Sequence, residues 1–331
     1  MGYAKWEGTG AIVKSANVTE APTTGYKYPV CKGVSFPKKR RLAQRKVGWK
    51  RVIDRTEAGG FEYEWSMSGI EPNANIFGYL AALGMGLNSY ALTVVTITPA
   101  DGADIPYCNV LRGVGYDLGT SMPTERLVGA KVGTFALEVK QEEFAVMSCG
   151  GMAADMGAVA AALVPSVPTG ANEAPLSWSA LKAGYFKVGV AGGAVAADND
   201  ITGFKLEFTQ SLFESGRTLG SVQPARIIPG MIGVTFDIEK EFSGVNALAQ
   251  RAEFLAGGRF AIDFKFLMGA YYVMTKAPIY GYADSGDQPG DVASDGDDLI
   301  TASLHCVCQE EAGVDILAFD VVDGSTAVYW A

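Results

Sequence analysis

Phe61-Glu-Tyr-Glu-Trp-Ser-Met-Ser-Gly69 has a degenerate second copy, Phe236-Asp-Ile-Glu-Lys-Glu-Phe-Ser-Gly244, 175 residues further along the chain. Phe, an acid, Glu, Ser and Gly recur in register. Both copies alternate apolar and polar residues, the two-residue period of a half-buried strand. Arg51-Val-Ile53 and Arg226-Ile-Ile228 recur at the same offset just upstream. Each copy leads into a helical pattern. Over Asn73–Leu83, Ile76, Leu80 and Leu83 share a stripe before Gly84; in the second copy Val245, Leu248, Ala252 and Leu255 do so before Gly257-Gly258. A strand-plus-helix unit repeated after about half the chain predicts two copies of one domain. The 331 residues allow that, at ~165 residues per domain.

Working outward, residues 1–46 form an expected extended basic N-terminal arm or loop, and 47–150 a first domain. Residues 151–175, rich in Gly, Ala and Pro, are a linker or surface loop, and 176–331 a second domain. Alternating segments predict strands through both halves, among them Tyr28–Phe36, Tyr90–Thr98, Val128–Ser148, Ser177–Val190, Gly203–Leu212 and Leu299–Cys308. Forty-one glycines and few long helical patterns make the chain mainly β. Gln309-Glu-Glu311 echoes Gln141-Glu-Glu143, each after an alternating strand, which carries the repeat past the helix.

Charge is polarised along the chain. Residues 1–55 hold 13 Lys and Arg against 3 acids, whereas 56–331 hold 14 against 33. The densest positive run is Pro37-Lys-Lys-Arg-Arg-Leu-Ala-Gln-Arg-Lys46. It fits three readings: a nucleic-acid or nuclear-localisation patch, a solvated loop, or a contact onto the acidic body of another copy. The five cysteines are odd in number and lack a CxxC, the pattern of reduced buried thiols in a protein made in the cytoplasm. No signal peptide is read at the N-terminus, and the most apolar window, Met152 to Val167, is too short to span a bilayer.

Catalytic and metal patterns are weak. The single histidine, His305, adjoins Cys306 in a predicted strand, where neighbours face opposite ways and cannot form a nucleophile–base pair. In the acidic 284–298 loop, Asp291, Asp295 and Gly296 match three positions of a calcium loop, but Ala302 stands where the bidentate acid belongs. Neither Gly113-Val-Gly115 nor Gly189-Val-Ala-Gly-Gly193 opens a helix as a dinucleotide fingerprint does. No cofactor or metal site is expected. Paired carboxylates such as Glu62 and Glu64 leave a carboxylate-dependent hydrolase as a remote alternative.

The series Arg51-Val-Ile, Gly60-Phe-Glu-Tyr-Glu, helix, Leu83-Gly84, then Val128-Gly-Ala-Lys-Val-Gly-Thr-Phe-Ala-Leu-Glu-Val resembles the major tail tube proteins of long-tailed, siphovirus-type bacteriophages. So does Phe204-Lys-Leu-Glu-Phe with Pro224-Ala-Arg-Ile-Ile-Pro-Gly and Val234-Thr-Phe-Asp-Ile. The resemblance implies two tandem β-sandwich or half-barrel domains, each with one flanking short helix. It implies a structural virion protein, made in the host cytoplasm and built into stacked rings that form a conduit for DNA ejection. Rings would be trimeric and pseudo-hexameric if the domain is duplicated, and hexameric otherwise. Implied partners are other copies, the tape measure, tail terminator and tail tip proteins, and double-stranded DNA in transit. Glu62, Glu64, Asp237, Glu239 and Glu241 are the candidate lumen-facing acids. Lys38, Lys39, Arg40, Arg41, Arg45 and Lys46 are the candidate inter-ring or inter-subunit bases. The alternative is a β-sandwich binding or virion decoration protein outside the tube.

Overall fold

The computed structural model describes residues 10–329 except 18, 21, 23–25, 47–52, 101–103, 114–123, 158–173, 191–194, 198–199, 216–223, 242–257, 287–300, 311–313 and 325–328. In chain order it contains β1 (Gly10–Ser15), β2 (Gly33–Ser35), β3 (Lys38–Lys46), β4 (Ile53–Ile70), α1 (Ala74–Met85), β5 (Gly86–Ala91), β6 (Val94–Pro99), β7 (Tyr107–Gly113), β8 (Thr124–Lys140), β9 (Val146–Ala153) and β10 (Asp155–Gly157). There follow α2 (Trp178–Ala183), β11 (Tyr185–Val190), β12 (Ala196–Ala197), β13 (Ile201–Ser215), β14 (Arg226–Glu241), β15 (Arg259–Met268), β16 (Tyr271–Thr275), β17 (Ile279–Gly286), β18 (Thr301–Cys308) and β19 (Phe319–Val322). The chain is mainly β, as its alternating segments predict.

The long strands join in one antiparallel run, β3-β4-β9-β8-β13-β14-β18-β17. Beyond β17 the pairing continues through β15, β16, β19 and β6 to β5. β8 belongs to two ladders. Its first part pairs with β7 and β10, and its second with β9 and β13. Between them Gly129 takes φ 62°, and a bulge separates Val132 from Thr134. Such devices let one strand turn a corner between layers.

α1 is enclosed by these layers. It lies against β5, β6, β8, β16 and β19, and all twelve of its residues are buried. The Asn73 side chain caps it, accepting from the Ile76 N–H at 2.8 Å. At its first turn Asn75 donates to Asp323 at 2.8 Å, and Tyr329 donates to the same carboxylate oxygen at 2.9 Å. The single stripe of Ile76, Leu80 and Leu83 therefore understates the helix, whose every side meets apolar side chains. The helical pattern at 245–255 lies outside the described residues, as do most of the 151–175 loop and of the acidic 284–298 loop.

Four local readings differ. β1, within the expected arm, pairs with β7 from Gly10↔Arg112 to Ser15↔Tyr107. The basic run is a strand, β3, because its alternating register with β4 satisfies its backbone groups. Tyr90–Thr98 is not one strand but part of the β5–β6 hairpin, turned at Leu92 with φ 62°. No Gly or Pro marks that turn, so its sequence signal is absent. Ser177–Val190 opens as a helix: Ser177 caps α2 by accepting from the Ala180 N–H at 3.2 Å, and β11 begins only after Gly184.

All five cysteines are buried thiols outside any disulfide. Burial raises the Cys31 thiol to about 11 and Cys308 to about 12, and pushes Cys108, Cys149 and Cys306 up as well. The nucleophile is the thiolate, so native protein is expected to consume almost no Ellman's reagent at pH 8 until it is unfolded. Because the folded pKa values are raised, the stability they reflect is complete below the unfolded thiol value of about 9 and falls as pH rises past it. A thermal midpoint constant from pH 8 to 11 would count against this.

Candidate functional site

Alternation divides the long strands into two faces. Trp65 and Met67 on β4, Phe135, Leu137 and Val139 on β8, Phe204, Leu206 and Phe208 on β13, and Val234, Phe236 and Ile238 on β14 are buried on one face. Phe135 and Phe208 lie opposite each other across the β8–β13 pairing with ring centroids 4.9 Å apart, and seal it. On the other face are Glu62, Glu64, Ser66 and Ser68 of β4, Glu138 and Lys140 of β8, Lys205 and Glu207 of β13, and Asp237 and Glu239 of β14.

Registers align these charges in rows. Glu138, Lys205, Asp237 and His305 lie side by side across β8, β13, β14 and β18. His305 Nδ1 is hydrogen-bonded to Asp237 Oδ1. Lys205 is 2.9 Å from Glu207, and this bond, with lesser help from the charges of Asp237 and Glu138, raises the lysine's pKa against its partial burial. Lys140 lies 3.4 Å from Glu138, which raises it in turn. The row floors an open groove of about 280 Å³. On the first-half strands Lys39 Nζ reaches Glu64 Oε1 at 2.9 Å, and that hydrogen bond raises Lys39.

The structure thus brings together two residue sets that the sequence reading keeps apart. Lys39 of the basic run pairs in register with Glu62 and bonds Glu64. Lys38 Nζ lies 5.9 Å from the centre of the Phe61 ring. Arg40, Arg41, Arg45 and Lys46 are on β3 by backbone and Glu241 ends β14, but their side chains lie outside the described residues. Residues not singled out from sequence are Glu138, Lys140, Lys205 and Glu207, while His305, set aside there as a nucleophile partner, proves to pair with Asp237. They lie on strands read in part from sequence, but their alignment needed the β8–β13 and β14–β18 registers. Counting described side chains on this face, six carboxylates stand against three lysines, so it is acidic but not uniformly so.

Among the described residues the face carries no nucleophile–base arrangement suited to covalent chemistry. Cys306 is fully buried behind His305, on the opposite side of β18. Among the described residues no group of three or more His, Cys, Asp or Glu could hold a metal ion, and no helix is long and apolar enough to cross a membrane.

A model of the phage tail tube protein family matches residues 58–308, the segment containing the polar face from Glu62 to His305 apart from Lys39 on β3. The chain belongs to the phage tail tube protein family. It is therefore a structural protein of the phage tail, not an enzyme, and its place is the virion tail. Comparison with curated proteins gives no match. The charged sheet face is open along the row of Glu138, Lys205, Asp237 and His305. It has none of the enclosure that positions a small reacting molecule.

Proposed function

We propose that three copies of this tail tube protein close a pseudo-sixfold ring, that the rings stack into the tail tube, and that the polar face lines its lumen. The observation that carries this is the strand order. β3-β4-β9-β8 and β13-β14-β18-β17 are each a long hairpin followed by a second hairpin taken in reverse. Lys39↔Glu62 and Lys205↔Asp237 are cross-strand pairs at matching places, with Glu62 and Asp237 in equivalent positions of the 175-residue repeat. The first domain, 47–150, with β3, and the second, 176–331, then each supply four strands to the wall, and β8–β13 is the seam between them.

Among the described residues two outer edges of this wall remain, that of β3 and that of β17 beyond its pairing with β15. Open edges invite pairing, and ring closure satisfies them by repeating the β8–β13 seam between chains. Glu62, Glu64, Asp237, Glu239 and Glu241 then face duplex DNA, which carries one charge per ~1.7 Å, and their repulsion keeps it from sticking. Lys39, Lys140 and Lys205 moderate that field. The tape measure, terminator and tip proteins are the expected tail partners.

Electron microscopy of the purified protein tests this. Rings with threefold rotational averages and a lumen wide enough for duplex DNA are expected. Six chains per ring would replace the trimer with a true hexamer. A stable monomer at every concentration and salt would remove the tube reading.

A further inference from the structure

The long strands run between two ends whose chemistry differs. At one end is the outer part of the β13–β14 hairpin. Pairing with β8 stops at Thr209 and pairing with β18 stops at Thr235, so beyond these points, among the described residues, β13 and β14 have only each other in the ladders. A bulge between Gln210 and Leu212 marks the departure. One side of the ribbon is pinned: Ile227 is buried, and its N–H donates to the Tyr107 hydroxyl at 3.4 Å. The other side leaves Phe213 59%, Ile228 37% and Met231 85% exposed, with Phe213 directly opposite Ile228. The β3–β4 hairpin points to the same end, since β4 meets β9 only from Tyr63 onward and pairs with the basic β3 before that.

At the opposite end the turn between β8 and β9 presents Phe144, 59% exposed, beside exposed Glu142 and Glu143. Glu142 is held at φ 63°, with the Gln141 N–H on the Thr202 carbonyl at 2.7 Å and the Glu143 N–H on the Lys140 carbonyl at 3.1 Å. One end therefore offers an apolar patch and, beyond three intervening strands of the sheet, a basic strand, and the other an exposed aromatic beside two carboxylates. A two-stranded ribbon is marginal in water alone, and its exposed apolar side calls for a partner.

We infer that these two ends mate head to tail between copies of this chain in successive rings, Phe213, Ile228 and Met231 of one meeting Phe144 of the next while β3 faces Glu142 and Glu143. This rests on the ring reading above. Such a contact is heterologous, so it leaves a free end of each kind and propagates. The β3–β4 hairpin differs in chemistry from β13–β14, so each ring is keyed to the next by whole chains rather than half chains.

The test uses two full-length variants, Met231→Ser with Phe213→Ser at the hairpin end and Phe144→Ser at the turn end. Each alone is expected to give rings but no tubes, at least a tenfold loss of mean length by negative stain. Mixed as preformed rings, they should give stacks of two rings and no more, because each retains the end the other lacks. Met231→Ser alone, at a side chain already in water, guards against a folding defect. Tubes of wild-type length from either variant, or a mixture without ring pairs, would overturn the inference. Wild-type protein forming no rings would overturn the ring reading with it.

Discussion

Phe77→Ala is expected to lower the unfolding free energy by about 3–5 kcal/mol, the range for deleting a buried phenyl ring. Phe77 is fully buried on α1 and meets the Phe319 ring edge-on, at 5.0 Å between centroids. That ring in turn lies 6.3 Å from Phe264, in a chain of aromatic contacts through Phe204 and Phe186. The helix is boxed in by strands on all sides, so the cavity cannot close by a simple shift, and the loss should sit at the upper end. For a chain of 331 residues it corresponds to a fall of roughly 4–7 °C in thermal midpoint. Calorimetry or denaturant unfolding measures it. A loss under ~1 kcal/mol would mean that α1 does not organise the core.

Glu62→Lys combined with Glu239→Lys is expected to turn a tube that ignores DNA into one that holds it. The described polar face then carries four carboxylates and five lysines in place of six and three. The cross-strand Asp237–His305 pair and the Lys205–Glu207 pair along β13 both remain. If six to ten phosphates are neutralised, binding should weaken about 10³–10⁵-fold between 50 and 200 mM salt. Filter binding by variant and wild-type tubes across a salt series reads this out. Equal retention by both would place the two acids away from the DNA path.

How much of this was legible can be seen strand by strand. Phe61–Gly69 and the described part of Phe236–Gly244 lie on β4 and β14, which hold corresponding places in the strand order, because a two-residue period with one buried face permits little slippage. The Gln-Glu-Glu echo is looser. Gln141 follows β8 whereas Gln309 follows β18, and these strands stand at different places in the two runs. Leu92 turns the β5–β6 hairpin without a turn residue, so propensity could not find it. The basic run was visible as charge, but its strand identity was not, because Lys and Arg are poor local signals for β structure.

The sequence by itself determined the strand periods, the repeated acidic strand, the capped helix and the burial of the cysteines, because each depends on residues close together in the chain. Only the tertiary structure decided which strands are neighbours. Registers between residues 23 to 75 positions apart placed Lys39 against Glu62, His305 against Asp237, and the two halves edge to edge at β8–β13. No local propensity encodes such pairings. They follow from how the buried faces of all the strands close around α1 at once.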